Sequence, residues 1–364
     1  MATHVDTRSG PARTPPTPAT PPAGPPVRWR EALAGPLVAV AALITALLAT
    51  DAAGFRFRDP DHVAARYFLA VGFAVVLVVG LDVFLRARRA TGLRRPSRAA
   101  MREVRRQRWT PQRMLVAGGA LLSFYVTYLS YRNLKGALPL LRPGDLFDRQ
   151  LAELDRDLFL GSDPAVLLHD LLGVGVPTHV LSTIYAAFII FLPVCLGLAL
   201  VFSPDLSTSL FFATALSINW LLGIASYYLL PALGPVYADP GTFAALPYTE
   251  VTRLQEMLLD HRVGFLRDPD TGTPQAIAAF ASLHIAMSFT PLLAAYLLGL
   301  GRRVKLALWT WLVVTTIATI YLGWHYVVDD VAGFAMGALS LVMARALMRY
   351  DVGAARAAWR SSAS

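Results

Sequence analysis

A single cysteine, Cys195, stands in 364 residues, so no disulfide forms within the chain and redox compartment cannot be read from thiols. Charge is scarce too. Asp, Glu, Lys and Arg make up 16% of the residues against 55% hydrophobic, and the mean hydropathy is +0.50. A soluble protein of this length carries more charge, which excludes that class and predicts an all-α polytopic membrane protein. No metal-ligand spacing recurs among the acidic residues, and no inverted repeat of the kind that builds many transporters is evident. The net charge of +9 is not laid out for nucleic acid. Ten arginines crowd between Arg86 and Arg108, directly after an apolar run and without aromatic interleaving. That is the pattern of a cytoplasmic loop held at an anionic leaflet, so the expected partner is membrane lipid, not nucleic acid.

Eight apolar runs are long enough to cross a bilayer, at about 33–53, 67–85, 113–133, 179–202, 208–230, 280–299, 306–323 and 327–347. The first reads as a retained helix, not a cleaved signal, because a long Pro-rich leader precedes it. Four parts follow: a disordered Pro-rich tail (1–27), a transmembrane hairpin with its basic loop (28–112), a six-helix membrane domain (113–350) and a short tail (351–364). With both termini on one side, that side collects 22 of the 33 Lys and Arg. The positive-inside rule makes it the cytoplasm of a cell-membrane protein. Asp82, near the inner end of the second run, is placed to reach the interface.

Two stretches lie on the opposite, extracytoplasmic side. In 135–178, Leu146, Phe147, Leu151, Leu154, Leu158 and Phe159 recur at helical spacing among Asp145, Asp148, Asp155 and Asp157. The expectation is one amphipathic surface helix whose acids form a solvated face. In 230–279, prolines and glycines predict a loop without helix, carrying Arg253, His261, Arg262 and Arg267. Its length and its position before Ser282 suggest a lid or substrate cradle.

Three titratable residues sit at the edges of apolar runs: His284, His325 and Asp329. Ionisable groups at membrane depth cost roughly 2.5–3.5 kcal/mol each on insertion scales, so they tend to be functional. A helical hairpin from His284 through the 301–305 turn returns the chain to the same membrane face at His325, and Asp329 follows one helical turn later. Two imidazoles and a carboxylate converge there. They allow several chemistries. Haem would need two facing histidines deeper in the bundle, and zinc would recruit Asp329 as a third ligand. In the remaining use a carboxylate orients one imidazole as a nucleophile while the other works as acid. A non-enzymatic transporter or a haem- or metal-binding membrane protein stands as the alternative class.

The segments Ser282-Leu283-His284 and His325-x-x-x-Asp329-x-x-x-Gly333 resemble the second and third motifs of the type 2 phosphatidic acid phosphatase superfamily. Ala281-Ser282-Leu283-His284, Gly323-Trp324-His325-Tyr326 and Leu233-Gly234-Pro235 are closer to its inositol phosphorylceramide synthase-like branch. The resemblance covers about 113–347. It implies that His325 accepts the phosphoryl unit, Asp329 orients it, His284 protonates the leaving alcohol and Ser282 binds phosphate oxygen, with no metal or cofactor. It also implies a phospholipid, polyprenyl or sphingolipid-type phosphate as substrate, with water or a second alcohol as acceptor.

The superfamily's first motif is absent. At the end of the fifth run, where Lys and Arg-Pro are expected, stands Tyr227-Tyr228-Leu229-Leu230-Pro231. The Ser-Arg pair expected before His325 is Ala318-Thr319. Positive charge for a phosphate must come from elsewhere, and Arg132, Lys135, Arg253, Arg262 and Arg267 are the candidates. Arg132 and Lys135 share a helical face at i, i+3. Gly333 and Gly337 form a small-xxx-small pair suited to close helix packing.

Overall fold

The computed structural model describes residues 28–59, 62–203, 205–274 and 277–363, so the expected disordered tail (1–27) lies outside the described residues. Every regular element among them is helical. In chain order these are α1 (Trp29–Ala52), α2 (Val63–Thr91), α3 (Arg98–Arg108), α4 (Pro111–Leu141), α5 (Asp148–Leu158), α6 (Pro164–Leu172), α7 (Val176–Phe202), α8 (Leu206–Leu229), α9 (Pro235–Ala238), α10 (Glu250–Arg267), α11 (Leu283–Leu297), α12 (Arg302–Tyr321), α13 (Val327–Met348) and α14 (Val352–Ala363). Among the described residues seven helices are long and apolar enough to span a membrane: α1, α2, α4, α7, α8, α12 and α13. The protein is a multi-pass membrane protein.

The expected sixth span is the short one. Residues 280–282 lie outside the helix, and α11 keeps 15 residues, roughly 22 Å of helix. Ser282 caps it, its Oγ accepting from the Ile285 N–H at 3.4 Å. Thr110 and Asp205 start α4 and α8 in the same way.

α8 runs through the middle of the bundle, packed by α4, α13, α1, α11 and α7. It is the most enclosed span, with 83% of its apolar window buried. Two of its buried polar side chains bond inside the bundle: Ser217 donates to the Ala213 carbonyl at 3.0 Å, and the Asn219 amide to Thr290 Oγ1 at 2.8 Å. α11 is wedged between α8, α12 and α13. Gly333 lets α13 close on it, since a Cβ there would come within 2.5 Å of the Ser282 carbonyl oxygen. That approach sets the distance between the two histidine-bearing elements. The N-terminal hairpin joins the same bundle, α1 lying on α4 and α8 and α2 on α7.

Two expectations about the intervening stretches are corrected. The surface helix in 135–178 is split into α5 and α6, with Leu160 and Gly161 both at positive φ between them. The acids of α5 are not uniformly solvated: Asp148 and Asp155 are 8% and 3% exposed. In the second stretch, 250–267 is helical after all. Thr249 caps this α10 by accepting from the Thr252 N–H, and no proline or glycine interrupts its first fourteen residues.

Candidate active site

His284 is the second residue of α11, two after its cap, and His325 occupies the turn between α12 and α13. The two rings meet. His284 Nδ1 lies 3.2 Å from His325 Nε2, and the ring centroids are 5.4 Å apart. The other nitrogen of His325, Nδ1, is 3.4 Å from Asp329 Oδ2. That oxygen also accepts the Tyr326 N–H at 2.9 Å, so the carboxylate spans the turn and the first turn of α13. Asp330 points elsewhere and accepts from Thr319 Oγ1 at 3.1 Å. The histidine pair is walled by aromatics: Tyr185 and Phe188 of α7 lie 4.8 and 4.6 Å from the His284 ring.

The turn that carries His325 is held residue by residue. Gln255 of α10 donates to the Leu322 carbonyl at 2.8 Å, and the Val236 N–H to the Gly323 carbonyl at 2.9 Å. The Trp324 ring stacks flat on Tyr185 at 5.0 Å. Asp155 accepts the Val327 and Val328 N–H groups at 2.7 and 3.0 Å, capping α13 from a neighbouring helix. Asp148 accepts from the Leu233 and Gly234 N–H groups at 2.9 and 2.8 Å and from the Tyr326 hydroxyl at 3.2 Å. Burial pushes the Asp155 carboxyl above its usual range, and the two N–H groups draw it back. Sequence reasoning missed both acids. Their i, i+7 spacing, which places them on one helix face, was the available signal.

Burial, reinforced by the nearby Lys135 charge, pushes the His325 imidazole from its ordinary 6.5 down to about 3. It is therefore neutral at physiological pH, with one ring nitrogen unprotonated.

The predicted cations divide. Lys135 is half-buried on α4, its Nζ 5.3 Å from the Tyr227 ring centre and 6.0 Å from that of Tyr131. Its charge reaches both imidazoles, and among the described residues no carboxylate pairs with it. Arg132 is instead bound to Asp59 at 3.0 Å. Arg262 is half-buried on α10 within electrostatic reach of Asp148, and Arg267 is exposed at the end of that helix. Arg253 bonds Glu250 on the surface. Ser282 is fully buried as the cap of α11, beside Asp330. The chain holds just two lysines, Lys135 and Lys305, a rarity that sequence reasoning passed over.

A family model described as the PAP2 superfamily matches residues 149–343, more than half of the chain. The chain belongs to the PAP2 superfamily. No curated protein and no solved structure gives a match. PAP2 proteins are in general phosphatases and phosphotransferases, and lipid phosphates are their substrates. The PAP2 match contains His284, His325, Asp329, Asp155 and the turn they share. It begins after α4, so Lys135 and Arg132 lie outside it.

Proposed function

We propose that this PAP2 protein is a lipid phosphatase or phosphotransferase that passes a phosphoryl unit, or a phospho-headgroup, through His325. The contact of His284 Nδ1 with His325 Nε2, with Asp329 behind the far nitrogen, is the observation that carries this reading. A proton on His325 Nδ1, facing Asp329, leaves the Nε2 lone pair for phosphorus. The Nε2–P bond forms as the ester P–O bond breaks, and the departing alkoxide takes its proton from His284. Water or a second alcohol then gives its proton back to His284 and displaces phosphorus from Nε2. At 3.2 Å the resting contact leaves no room for a phosphate, so substrate entry must part the rings.

Lys135 supplies the charge that the missing first motif would have supplied. An ammonium over two tyrosine faces, without a carboxylate partner among the described residues, is held ready for an anion. Arg262, half-buried on α10, is the second candidate cation, and Ser282 at the cap of α11 the candidate hydroxyl. Arg267 lies further out on the same helix, and Arg132 contributes through its hold on Asp59. With cations on the phosphate, the chemistry needs no metal. With the Arg-rich stretch 86–113 at the far end of α4 from Lys135, the positive-inside rule supports an extracytoplasmic site with both termini cytoplasmic. The wording around His284 and His325 leans toward the inositol phosphorylceramide synthase-like branch and hence toward transfer to an alcohol.

The test is a screen of purified protein against phosphatidic acid, polyprenyl phosphates and phosphosphingolipids, scored for free phosphate and for new lipid product. Turnover of at least one class, lost in His325→Ala, is expected. Full turnover in His325→Ala ends the proposal.

A further inference from the structure

The family match leaves the N-terminal hairpin unassigned, and the loop joining α1 to α2 lies at the same end of the bundle as His325. Three side chains of that loop each bridge other elements. Phe55, 5% exposed, meets Phe265 of α10 edge-on at 5.1 Å and packs on Ala137 of α4. The Arg58 guanidinium donates to the Pro269 carbonyl at 2.9 Å and also to the carbonyls of Asp270 and Gly272. Its backbone is clasped by Asn133 of α4 in both directions, at 3.0 and 2.9 Å. Asp59 holds Arg132 of α4 while accepting the Ala64 and Ala65 N–H groups at the start of α2.

The segment that Arg58 grips, 268–274, ends on α4 next to Lys135. A Cβ on Gly136 would come within 2.6 Å of Pro274, so the glycine is what lets this segment seat there. A guanidinium spread over three carbonyls is well suited to holding backbone that has no helix of its own.

We infer that residues 53–59 form a strap, with Arg58 a positioning residue that keeps 268–274 and α10 seated on α4 and thereby sets the placement and access of Lys135. The consequence for substrate rests on the phosphate-holding role of Lys135 proposed above; the strap itself does not. An Arg58 that served stability alone would affect the folded fraction without changing the environment of Lys135 or the affinity for substrate.

The experiment uses the full chain in lipid nanodiscs with Lys305→Arg, which leaves Lys135 as the one lysine. Its acylation by an amine-selective reagent is followed by peptide mass spectrometry, in parallel with steady-state kinetics on the lipid phosphate found in the screen. Arg58→Ala is expected to raise the Lys135 labelling rate at least fivefold and KM about tenfold, with kcat within twofold. Arg58→Lys, scored by kinetics alone, is expected to recover most of the KM. Phe55→Leu, which loosens the same strap more gently, gives the same labelling comparison if Arg58→Ala fails to fold. Unchanged labelling and KM in a folded variant overturn the inference. Loss of the His325 proposal with increased labelling leaves the strap standing and removes only its link to catalysis.

Discussion

Residues 149–343 and residues 28–141 make different contributions to one site. The first region carries the imidazoles and Asp329 on α11, α13 and the turn before α13, elements adjacent in sequence and pressed together at Gly333. The second region supplies charge. On α4, two cations three residues apart have opposite fates: Arg132 is neutralised by Asp59, whereas Lys135 stands over tyrosine rings beside the histidines. In this reading the bond-making groups come from the family-matched part and the anion-holding group from outside it. In the same reading a missing motif is replaced from a distant helix that the bundle brings to the same end.

Substitutions can break this comparison in order of effect. His325→Ala is expected to lower kcat by about 10⁴-fold or more, as loss of a nucleophile does, measured as phosphate release or lipid product. Lys135→Ala should lower kcat/KM by about 10²–10³, with part restored in Lys135→Arg; a loss below tenfold would assign the phosphate charge to Arg262 instead. Asp155→Ala removes the acceptor for two N–H groups at the start of α13. It is expected to cost about 1–2 kcal/mol in thermal unfolding and to slow turnover roughly tenfold by loosening the His325 turn.

At the other end of the bundle the outcome should differ in kind. Asp82, 1% exposed, bridges Arg86 at 2.7 Å and Arg108 at 3.0 Å. Asp82→Asn is expected to cost about 1–3 kcal/mol of stability while leaving kcat and KM unchanged. The last effect is on pH. His325 is held near 3 in the fold and titrates near 6.5 unfolded, so below 6.5 the unfolded chain binds a proton that the folded chain does not. Its contribution therefore makes stability fall as pH drops from 6.5 toward 3, and folded His325→Asn should show a shallower acid limb in thermal melts.

Much of the fold was legible because apolar runs of bilayer length report helices directly, and the turn residues between them mark the ends. The motif histidines were legible because α11 to α13 are consecutive, so spacing alone returned them to one face. The α5 acids were not, since an amphipathic helix on a surface and one docked on a neighbouring helix end share the same periodicity. Asp155 acts on Val327 across 172 positions, a relation no local pattern contains. α10 was hidden by the prolines and glycines on either side of it, which end a helix without forbidding one between them. The split between Arg132 and Lys135 depends on Asp59, brought to α4 by a loop from a different hairpin.

The central claim is most directly tested by trapping the intermediate. Purified protein is incubated with a lipid phosphate carrying labelled phosphorus, quenched in alkali and digested, and the label is mapped by peptide mass spectrometry. The account predicts an acid-labile, alkali-stable label on the peptide containing His325, absent in His325→Ala and accumulating in His284→Ala if a good leaving group bypasses the missing acid. Label on another residue, or full turnover in His325→Ala, would contradict it.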